Sequence, residues 1–369
     1  MFNEENIGHR EALTLLVIML TGKIFLSYPR NLALMGDAAG WIIVLLAGIY
    51  SLIGLYFLTS VLSKYPELNL LEIAQTVTGS IIGKIIGFVI FLFFLVLTAI
   101  YLRQFAESFI LAILPHTPIS VITLFFLLLL IYANILGIEI LSRVAWLFGP
   151  YLVATLIAIV GFSLPQAKLD YLTPVLGPGI GKIFQNSFFE VSSFAEILLL
   201  GVIAPLIRKR DKLFGVGLYG LLLAILINMA IAAVVVMVFN FVASRSLVFP
   251  VLQLTRLISF GEFVQRVEAI FVFLWFFWAG IQLGGLFYGA VASFAQTFKI
   301  KDYRPLTFPI GVIIFAMSLI PTSMTQAVQW SGSTNGLPLL SYSYTGVAFG
   351  IPLLLWLIIL IRQKAGGSR

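Results

Sequence analysis

The sequence predicts an all-α integral membrane protein with ten transmembrane helices. Of its 369 residues, 61% are apolar and only 10% are charged, whereas soluble domains are about a quarter charged. Apolar stretches of the length that crosses a bilayer, about 20 residues per helix, recur along the whole chain. A single membrane domain over residues 1–369 accounts for the sequence, and we expect the lipid bilayer to surround it.

Ten apolar runs, separated by polar residues, prolines and glycines, predict the individual spans. In chain order they cover residues 11–35, 41–63, 81–114, 119–136, 140–164, 180–207, 214–242, 263–298, 306–320 and 346–361. After the second span, Asn69 heads an amphipathic stretch that predicts a short helix at the membrane interface. Residues 250–258 predict another short helix, whereas 331–344 is rich in Ser, Gly, Asn and Tyr and predicts a loop with turns.

The charged and reactive residues exclude several classes of function. The chain has no cysteine and two histidines, so we expect no disulfide, no thiolate chemistry and no metal site. The net charge of +7 comes from loops between the spans, so nucleic acid is not an expected partner. Nothing indicates a cofactor or an enzymatic reaction. The first span lacks the features of a removable signal peptide, and we expect it to be retained.

Lysines and arginines orient the spans, because cytoplasmic loops carry an excess of them. With an even number of spans, both termini lie on one side of the membrane. The loops on that side contain Arg10, Lys64, Lys84, Arg143, Arg208, Lys209, Arg210, Lys212, Lys299, Lys301, Arg304, Arg362, Lys364 and Arg369. The opposite loops contain Arg30, Lys168, Lys182, Arg245, Arg256 and Arg266. We therefore expect both termini in the cytoplasm.

Polar and helix-breaking residues at membrane depth predict interrupted helices, because free backbone groups are tolerated there only beside a cavity. In span one, Gly22 and Lys23 precede Pro29, which lacks a backbone donor. In span six, Glu190 and Glu196 flank two serines within an apolar run. The sequence therefore predicts that spans one and six are both broken.

Interruptions in the first helix of each five-span half indicate a 5+5 inverted-repeat transporter fold. The two repeats would cover about 11–164 and about 180–361. In such a fold, half-helix N-termini bind anionic groups and freed carbonyls bind cations. The predicted site therefore suits a small zwitterion.

Lys23 is the residue that most needs a partner, since an ammonium at the bilayer centre costs at least about 2.5 kcal/mol. One hypothesis is that it pairs with Glu190, with Glu196 or with a solute carboxylate; the alternative is that it snorkels to an interface. The glutamates are six residues apart, so they lie on different faces of an unbroken helix, and an unwound serine pair would let both approach the cavity. Glu190 is also near enough to the outer end of its span for simple interfacial exposure.

Two charge pairs and one aromatic run have structural explanations. Arg103 and Glu107 are four residues apart in span three, which favours an internal ion pair, although the pair could also gate the outer vestibule. Glu139 and Arg143 have the same spacing near the end of span five and predict a solvated pair. The aromatic run of span eight predicts lipid-facing packing rather than a ligand cage. Its members are Phe271, Phe273, Trp275, Phe276, Phe277 and Trp278.

Two motifs resemble those of the amino acid/polyamine/organocation transporter superfamily. Residues 21–29 read TGKIFLSYP and resemble the first-span motif, in which a stretch of small residues and glycine precedes Ile-Phe and a proline. Residues 191–196 read VSSFAE and resemble the sixth-span stretch of that superfamily, with Glu196 at its glutamate. The two resemblances fall on the two predicted helix breaks.

Further motifs narrow the resemblance to the B subunits of spore nutrient germinant receptors, the spore-germination permease-like family. These are Asp37, GWI at 40–42, YPELNL at 65–70 and GSIIGK at 79–84. The resemblance implies a LeuT-like fold, residence in the inner membrane of a bacterial spore, binding of a small nutrient such as an amino acid, and assembly with a larger membrane A subunit and a C lipoprotein. Ligand binding would signal to the A subunit, which requires unequal affinity for two conformations.

One departure from the superfamily motif bears on mechanism. Lys23 stands where the motif has a serine, and Ile24 stands where it has the second glycine. A fixed cation opposes a second cation close beside it in a region of low dielectric constant. This favours a receptor role or a proton-linked role over sodium coupling.

The predicted ligand site lies between the breaks of spans one and six, with walls from spans three and eight. Its members are Thr21, Gly22, Lys23, Ile24, Phe25, Tyr101, Glu190, Ser192, Ser193, Phe194, Glu196 and Trp278. A rival hypothesis is a proton-coupled amino-acid transporter that works through Glu196. A third is a structural membrane partner with a vestigial cavity.

Overall fold

The computed structural model describes residues 5–257, 267–331 and 338–366. The regular secondary structure in these ranges is helical, apart from one parallel bridge between Ile7 and Ile207. The α-helices are α1 (His9–Thr21), α2 (Tyr28–Gly36), α3 (Gly40–Lys64), α4 (Leu70–Thr78), α5 (Ser80–Ala112), α6 (Ile119–Leu136), α7 (Ile138–Ser163), α8 (Ile180–Glu190), α9 (Leu199–Ile203), α10 (Leu213–Ser244), α11 (Pro250–Leu257), α12 (Val267–Thr297), α13 (Arg304–Ser318), α14 (Met324–Trp330), α15 (Pro338–Thr345) and α16 (Ile351–Gly366).

Within the described residues, eight helical segments are long and apolar enough to cross a membrane. They are Tyr28–Lys64, Ser80–Ala112, Ile119–Leu136, Ile138–Gln166, Ile180–Leu206, Arg210–Ser244, Phe271–Thr297 and Leu340–Lys364. The shorter helix Arg304–Ser318 is also apolar. The chain is therefore an all-helical, multi-pass membrane protein, as the apolar runs predicted.

Two 3₁₀ segments separate helices at positions that matter for the site. Gly22–Phe25 lies between α1 and α2, and Val191–Leu198 lies between α8 and α9. Pro29 is in the first turn of α2, where a missing amide donor has no cost because that donor has no partner within the helix. Helix α2 therefore starts anew at Tyr28.

The short helix predicted after span two is confirmed as α4. The Asn69 side chain accepts hydrogen bonds from the amides of Leu71 at 3.0 Å and Glu72 at 2.9 Å. The Glu72 carboxylate accepts in return from the Asn69 amide at 3.0 Å, which completes a capping box.

The short helix α11 is also confirmed, up to Leu257. The loop predicted at 331–344 is wrong for residues 338–344, which belong to α15. Residues 258 and 332–337 lie outside the described ranges, as do the first four residues of the span predicted at 263–298. The turn-rich composition near 338–344 misled the prediction because packing against the 3₁₀ segment Val191–Leu198 outweighs weak local helix propensity there.

Helix α1 lies at the centre of the fold, where it packs against α7, α10 and α12. Small residues of α12 allow the close approach, as small residues do between membrane helices. A Cβ on Gly285 would lie 2.6 Å from the sulfur of Met19, and one on Gly289 would lie 2.7 Å from a ring carbon of Phe94. This packing brings the end of α1 beside α12 and beside the 3₁₀ segment Val191–Leu198.

Candidate functional site

Lys23 joins the two 3₁₀ segments. Its side chain is buried, and its Nζ donates a hydrogen bond to the carbonyl oxygen of Ser193. The same ammonium lies 5.2 Å from the centre of the Tyr28 ring and 5.0 Å from that of Phe194, within the range of cation–π attraction. The alternative that Lys23 snorkels to an interface is therefore wrong.

Two carboxylates lie around this ammonium. Glu190 and Glu196 each expose only 1% of their surface, so the alternative of interfacial exposure for Glu190 is wrong. Both interact electrostatically with Lys23. Within the described residues, however, Lys23 makes no direct salt bridge, because its Nζ is directed at the backbone of Ser193. The predicted attraction is present, but the direct pairing is not.

Gln282 of α12 orients Glu196. Its Nε2 donates to the carbonyl of Met19 at 3.2 Å and lies 3.3 Å and 3.5 Å from the two carboxylate oxygens of Glu196. Gly22 makes room for it, because a Cβ on Gly22 would overlap the side-chain amide of Gln282. Gly22 has ordinary right-handed helical dihedral angles, φ −58° and ψ −27°. The glycine is therefore needed for space and not for backbone conformation.

Hydroxyl groups complete the surroundings of the two carboxylates. Tyr28 and Ser193 face Glu190, and Tyr101 of α5 faces Glu196. A hydroxyl can donate to an ionised carboxylate and can also accept a hydrogen bond from an ammonium group. The cluster is therefore equipped to hold a charged polar ligand.

A small cavity lies beside Lys23, with a volume of about 10 Å³, which is room for about one water molecule. Its lining is formed by Lys23, Leu26, Ser27, Tyr28, Tyr101, Gln104, Ser192, Ser193 and Ser331. Four of these are predicted site residues, namely Lys23, Tyr101, Ser192 and Ser193. An amino acid would fit only after these side chains move apart.

Five lining residues were missed by sequence reasoning. Ser27 and Tyr28 stand in the first-span motif, and Gln104 is an uncharged polar residue in an apolar span, so both features were available as signals. Gln104 donates from Nε2 to the carbonyl of Ala327 at 3.3 Å and so holds α14 over the cavity. Leu26 stands in the same motif but is apolar like its neighbours, and Ser331 has no comparable signal in the sequence.

Several predicted residues lie behind the cavity and not on its surface. The Thr21 hydroxyl donates to the carbonyl of Val17 at 2.6 Å. Trp278 donates from Nε1 to the carbonyl of Ile18 at 2.8 Å, and its ring centre is 4.9 Å from that of Phe25. Ile24 is buried nearby. These residues support the site through packing.

The prediction that the aromatic run of α12 faces lipid is correct for only part of it. Phe273 is 60% exposed. Phe271, Trp275 and Trp278 are buried around Phe25. The spacing of these three on one helical face places them inwards, which a count of aromatic residues does not reveal.

Both predicted charge pairs form salt bridges. Arg103 Nε lies 2.6 Å from Glu107 Oε1, and both side chains are largely buried. Arg103 also donates to the carbonyl of Ser318 at the end of α13, at 3.4 Å. Arg143 pairs with Glu139 while 55% of its side chain is exposed. The first pair therefore ties helices together, whereas the second lies at the surface.

Another buried carboxylate, Glu5, precedes α1 on the face that carries the termini. It accepts hydrogen bonds from the hydroxyls of Tyr303 at 2.7 Å and Tyr288 at 3.4 Å. Burial raises the pKa of the Glu5 carboxyl above 4.5, while the bond from Tyr303 and the charge of Arg304 oppose that rise. Glu5 thus anchors the N-terminal segment to α12 and to the start of α13.

Two solved structures share this arrangement of helices. Mhp1, a nucleobase-cation-symport-1 family transporter in a closed conformation with bromovinylhydantoin bound, is 14% identical, with a TM-score of 0.68 over 96% of this chain and 78% of that chain. MhsT in complex with L-phenylalanine is 17% identical, with a TM-score of 0.67 over 96% of this chain and 88% of that chain. The molecule is thus a helical membrane protein with the LeuT-type transporter fold.

The family follows from the sequence comparison. The spore germination protein model matches residues 6–327, and the chain belongs to that family. Spore germination protein A2 of Bacillus subtilis (strain 168) is 27% identical over 363 residues, 96% of this chain and 95% of the relative. Spore germination protein GerLB of Bacillus cereus is 25% identical over 376 residues, 100% of this chain and 98% of the relative. The resemblance inferred from the motifs is confirmed.

Proposed function

We propose that the chain is a germinant-receptor subunit that binds a small nutrient, an amino acid, beside Lys23 and signals to partner subunits. The observation that carries this proposal is a buried ammonium bound to the carbonyl of Ser193 and flanked by the buried carboxylates of Glu190 and Glu196. Buried charges inside a membrane are costly and usually mark a ligand or ion pathway. Membership of the spore germination family supports a nutrient as the ligand.

The proposed architecture has ten spans in two inverted repeats, about 11–164 and about 180–361. Of the long apolar segments, Tyr28–Lys64 contains both α2 and α3. In the proposed count, span one is formed by α1, Gly22–Phe25 and α2, and span two by α3 alone. The other seven long segments and Arg304–Ser318 complete the ten. The 3₁₀ segment Val191–Leu198 corresponds to Gly22–Phe25 in the second repeat. The positive charges of the loops support cytoplasmic termini, and the family supports the inner membrane of a spore.

The charges of the site indicate which chemical group the ligand presents. Two buried carboxylates face one ammonium, and that ammonium already donates to Ser193. Since Lys23 does not contact either carboxyl group directly, a ligand with its own ammonium group can donate hydrogen bonds to both of them. Lys23 also binds the backbone carbonyl of Ser193, and in broken-helix transporters carbonyls of this kind bind sodium. The site therefore does not depend on sodium, which replacement of sodium by choline tests directly.

The cavity supports a coupling between binding and conformation. Because its volume is about 10 Å³, an amino acid enters only when α2 and the segment Val191–Leu198 separate from α5 and α14. A ligand that binds the separated state more tightly shifts the population towards it. The proposed recipients of that shift are the membrane A subunit and the C lipoprotein.

Replacement of Lys23 tests the proposal in spores. A knockout is first screened against amino acids, sugars and nucleosides to find the active nutrient. Spores with Lys23→Met are expected to lose the response to it, while the membrane content of the protein stays normal on immunoblots. Lys182→Met, at an exposed lysine in the first turn of α8, is the matched control. A normal response with Lys23→Met would refute the site.

A proton-coupled amino-acid transporter is the second candidate, favoured by the buried Glu196 and by the fold shared with two transporters. Purified protein in liposomes separates the two functions. Accumulation of the nutrient driven by a pH gradient, and its loss with Glu196→Gln, would establish transport. Saturable binding without accumulation would establish the receptor role alone.

A further inference from the structure

A group of charged side chains fastens the end of α2 on the face opposite the termini. We call Arg30, Asp37 and Arg245 the arginine clasp. Arg245, directly after α10, forms a salt bridge with Asp37 and donates from Nε to the carbonyl of Ala33 at 3.1 Å. Arg30 of α2 donates from Nε to the carbonyl of Arg245 at 2.8 Å. Arg245 therefore caps the C-terminal end of α2, and Arg30 of α2 caps the C-terminal end of α10. A positive side chain suits each position because the C-terminal end of a helix dipole is negative.

A second helix holds the same end of α2. Asn186 of α8 is buried and donates to the carbonyl of Met35 at 2.6 Å. Gly177 also lies against this point, since a Cβ on it would be 3.1 Å from the carbonyl oxygen of Gly36. The last carbonyls of α2 are therefore bound by side chains from both α10 and α8.

The backbone at the clasp is strained. Asp37 has φ 53° and ψ −123°, a conformation that favours glycine, yet the position carries a charged side chain. Such strain persists only where surrounding contacts fix the residue, and it often marks a functional position. At Asp37 the fixing contact is the salt bridge with Arg245.

Helix α2 connects the clasp to the ligand site. It has nine residues and is therefore about 13 Å long. Tyr28, its first residue, and the preceding Ser27 line the cavity beside Lys23. A change in the angle of α2 at the clasp therefore moves two of the lining side chains.

We propose that Arg245 is a positioning residue: through the arginine clasp it fixes α2 and keeps the Lys23 site closed towards the face opposite the termini. This inference rests on the proposed function, because it concerns regulation of the same site. When the clasp opens, α2 tilts, Tyr28 moves away from Ser193, and the cavity becomes accessible from that face.

The absence of cysteine from the sequence permits a direct test. Ser192→Cys places one thiol at the cavity of the full-length protein in liposomes, and a membrane-impermeant methanethiosulfonate reagent reports access to it. Arg245→Gln is expected to raise the labelling rate about tenfold, in proportion to the open population. Arg245→Lys keeps a positive charge opposite Asp37, so its labelling rate is expected to lie close to that of the protein that retains Arg245.

Two controls separate positioning from general loosening. Arg256→Gln removes an exposed arginine on the same face and is expected to leave labelling unchanged. A second reporter, Ser293→Cys, is fully buried in α12 near the opposite end of the molecule. Ser293→Cys is expected to label slowly, and at the same rate whether or not Arg245→Gln is present. If Arg245→Gln accelerated the labelling of both Ser192→Cys and Ser293→Cys to the same extent, the proposal would be overturned.

An unchanged rate at Ser192→Cys with Arg245→Gln would also overturn it. If Arg245→Gln does not reach the membrane, Asp37→Asn decides the same question, because asparagine tolerates the positive φ and lacks the charge. Labelling needs no ligand. Failure of the clasp therefore leaves the result with Lys23→Met unaffected, and failure of Lys23→Met leaves the labelling result unaffected.

Discussion

Gly22→Ala is the most specific test of the site, because it adds one methyl group at a point where the backbone accepts alanine. The new Cβ would lie 2.6 Å from Cδ of Gln282 and would overlap its amide oxygen. Gln282 must then rotate away from both Met19 and Glu196. The substitution therefore removes the amide that orients Glu196 without touching a charged group.

The size of the effect follows from the contacts that Gln282 loses. The bond to the carbonyl of Met19 is neutral, at 3.2 Å, and the approach to Glu196 is charge-assisted, at 3.3 Å and 3.5 Å. A neutral hydrogen bond contributes about 1 kcal/mol and one to a charged group about 1.5–3 kcal/mol. Complete loss of both contacts would cost about 2.5–4 kcal/mol. Because Gln282 can replace part of them after it rotates, we expect a loss of about 2–3 kcal/mol, which is about 30-fold to 150-fold in affinity.

The assay is the nutrient concentration that gives half the maximal germination rate. Gly22→Ala is expected to raise this concentration by that factor, whereas Gly280→Ala, on the same helix as Gln282 but with no atom within 4 Å of its added Cβ, is expected to have little effect. Gln282→Ala removes the overlapping side chain, so Gly22→Ala should add almost nothing to it. Additive losses in the double variant, or an unchanged response to Gly22→Ala, would refute the close-contact argument.

Two further predictions concern other buried charges. Arg103→Met leaves Glu107 without its partner and is expected to cost about 3–5 kcal/mol of stability, measured by thermal unfolding in detergent. The double variant Arg103→Met with Glu107→Met should cost less. Arg143→Met, at the exposed pair, should cost only about 0–1 kcal/mol. Equal losses at the two pairs would contradict this. The pKa of Glu5 is raised in the folded protein, so protonated Glu5 stabilises the folded state more than ionised Glu5 does. The N-terminal segment is therefore held most firmly below pH 4.5, and its attachment to α12 and α13 weakens as the pH rises through the raised pKa. A thiol at the buried Ile7→Cys should therefore label increasingly fast with pH relative to the same protein with Glu5→Gln, and a constant ratio would contradict it.

The helices were predictable because their signal is local. A bilayer requires runs of about 20 apolar residues, and the run at 119–136 coincides with α6. Asn69 likewise predicted the start of α4, since a capping box lies within four residues. Helix α15 was missed because its Ser- and Tyr-rich sequence has weak propensity, and only contacts with distant residues stabilise it.

The residues of the candidate site were predictable where the sequence of a single span marks them as unusual. They were not predictable where the site depends on contacts between spans that are distant in sequence. Lys23 and Glu196 are recognisable alone, since charges at membrane depth are rare. The partners Gln282 and Ser331 follow hundreds of residues later in the sequence, and nothing in their local sequence connects them to span one. The arginine clasp has the same origin: Asp37 and Arg245 are ordinary loop charges until the fold joins them.

The placement of charge in the site explains how a small ligand could drive a receptor of this fold. Moving a two-state equilibrium from 1:99 to 99:1 requires about 5.5 kcal/mol of differential binding. A hydrogen bond to a buried charged group supplies about 1.5–3 kcal/mol, so two to four such bonds made in only one state suffice. Glu190, Glu196 and Lys23 offer that number of charged groups, and Lys23 already holds Ser193 in the closed state. The ammonium group of a ligand would bind the two glutamate carboxylates, while the ligand's own carboxylate would draw Lys23 away from Ser193. The contact that keeps the site closed would then be replaced by contacts that exist only in the open state. An apolar site of the same size offers no such exchange of contacts.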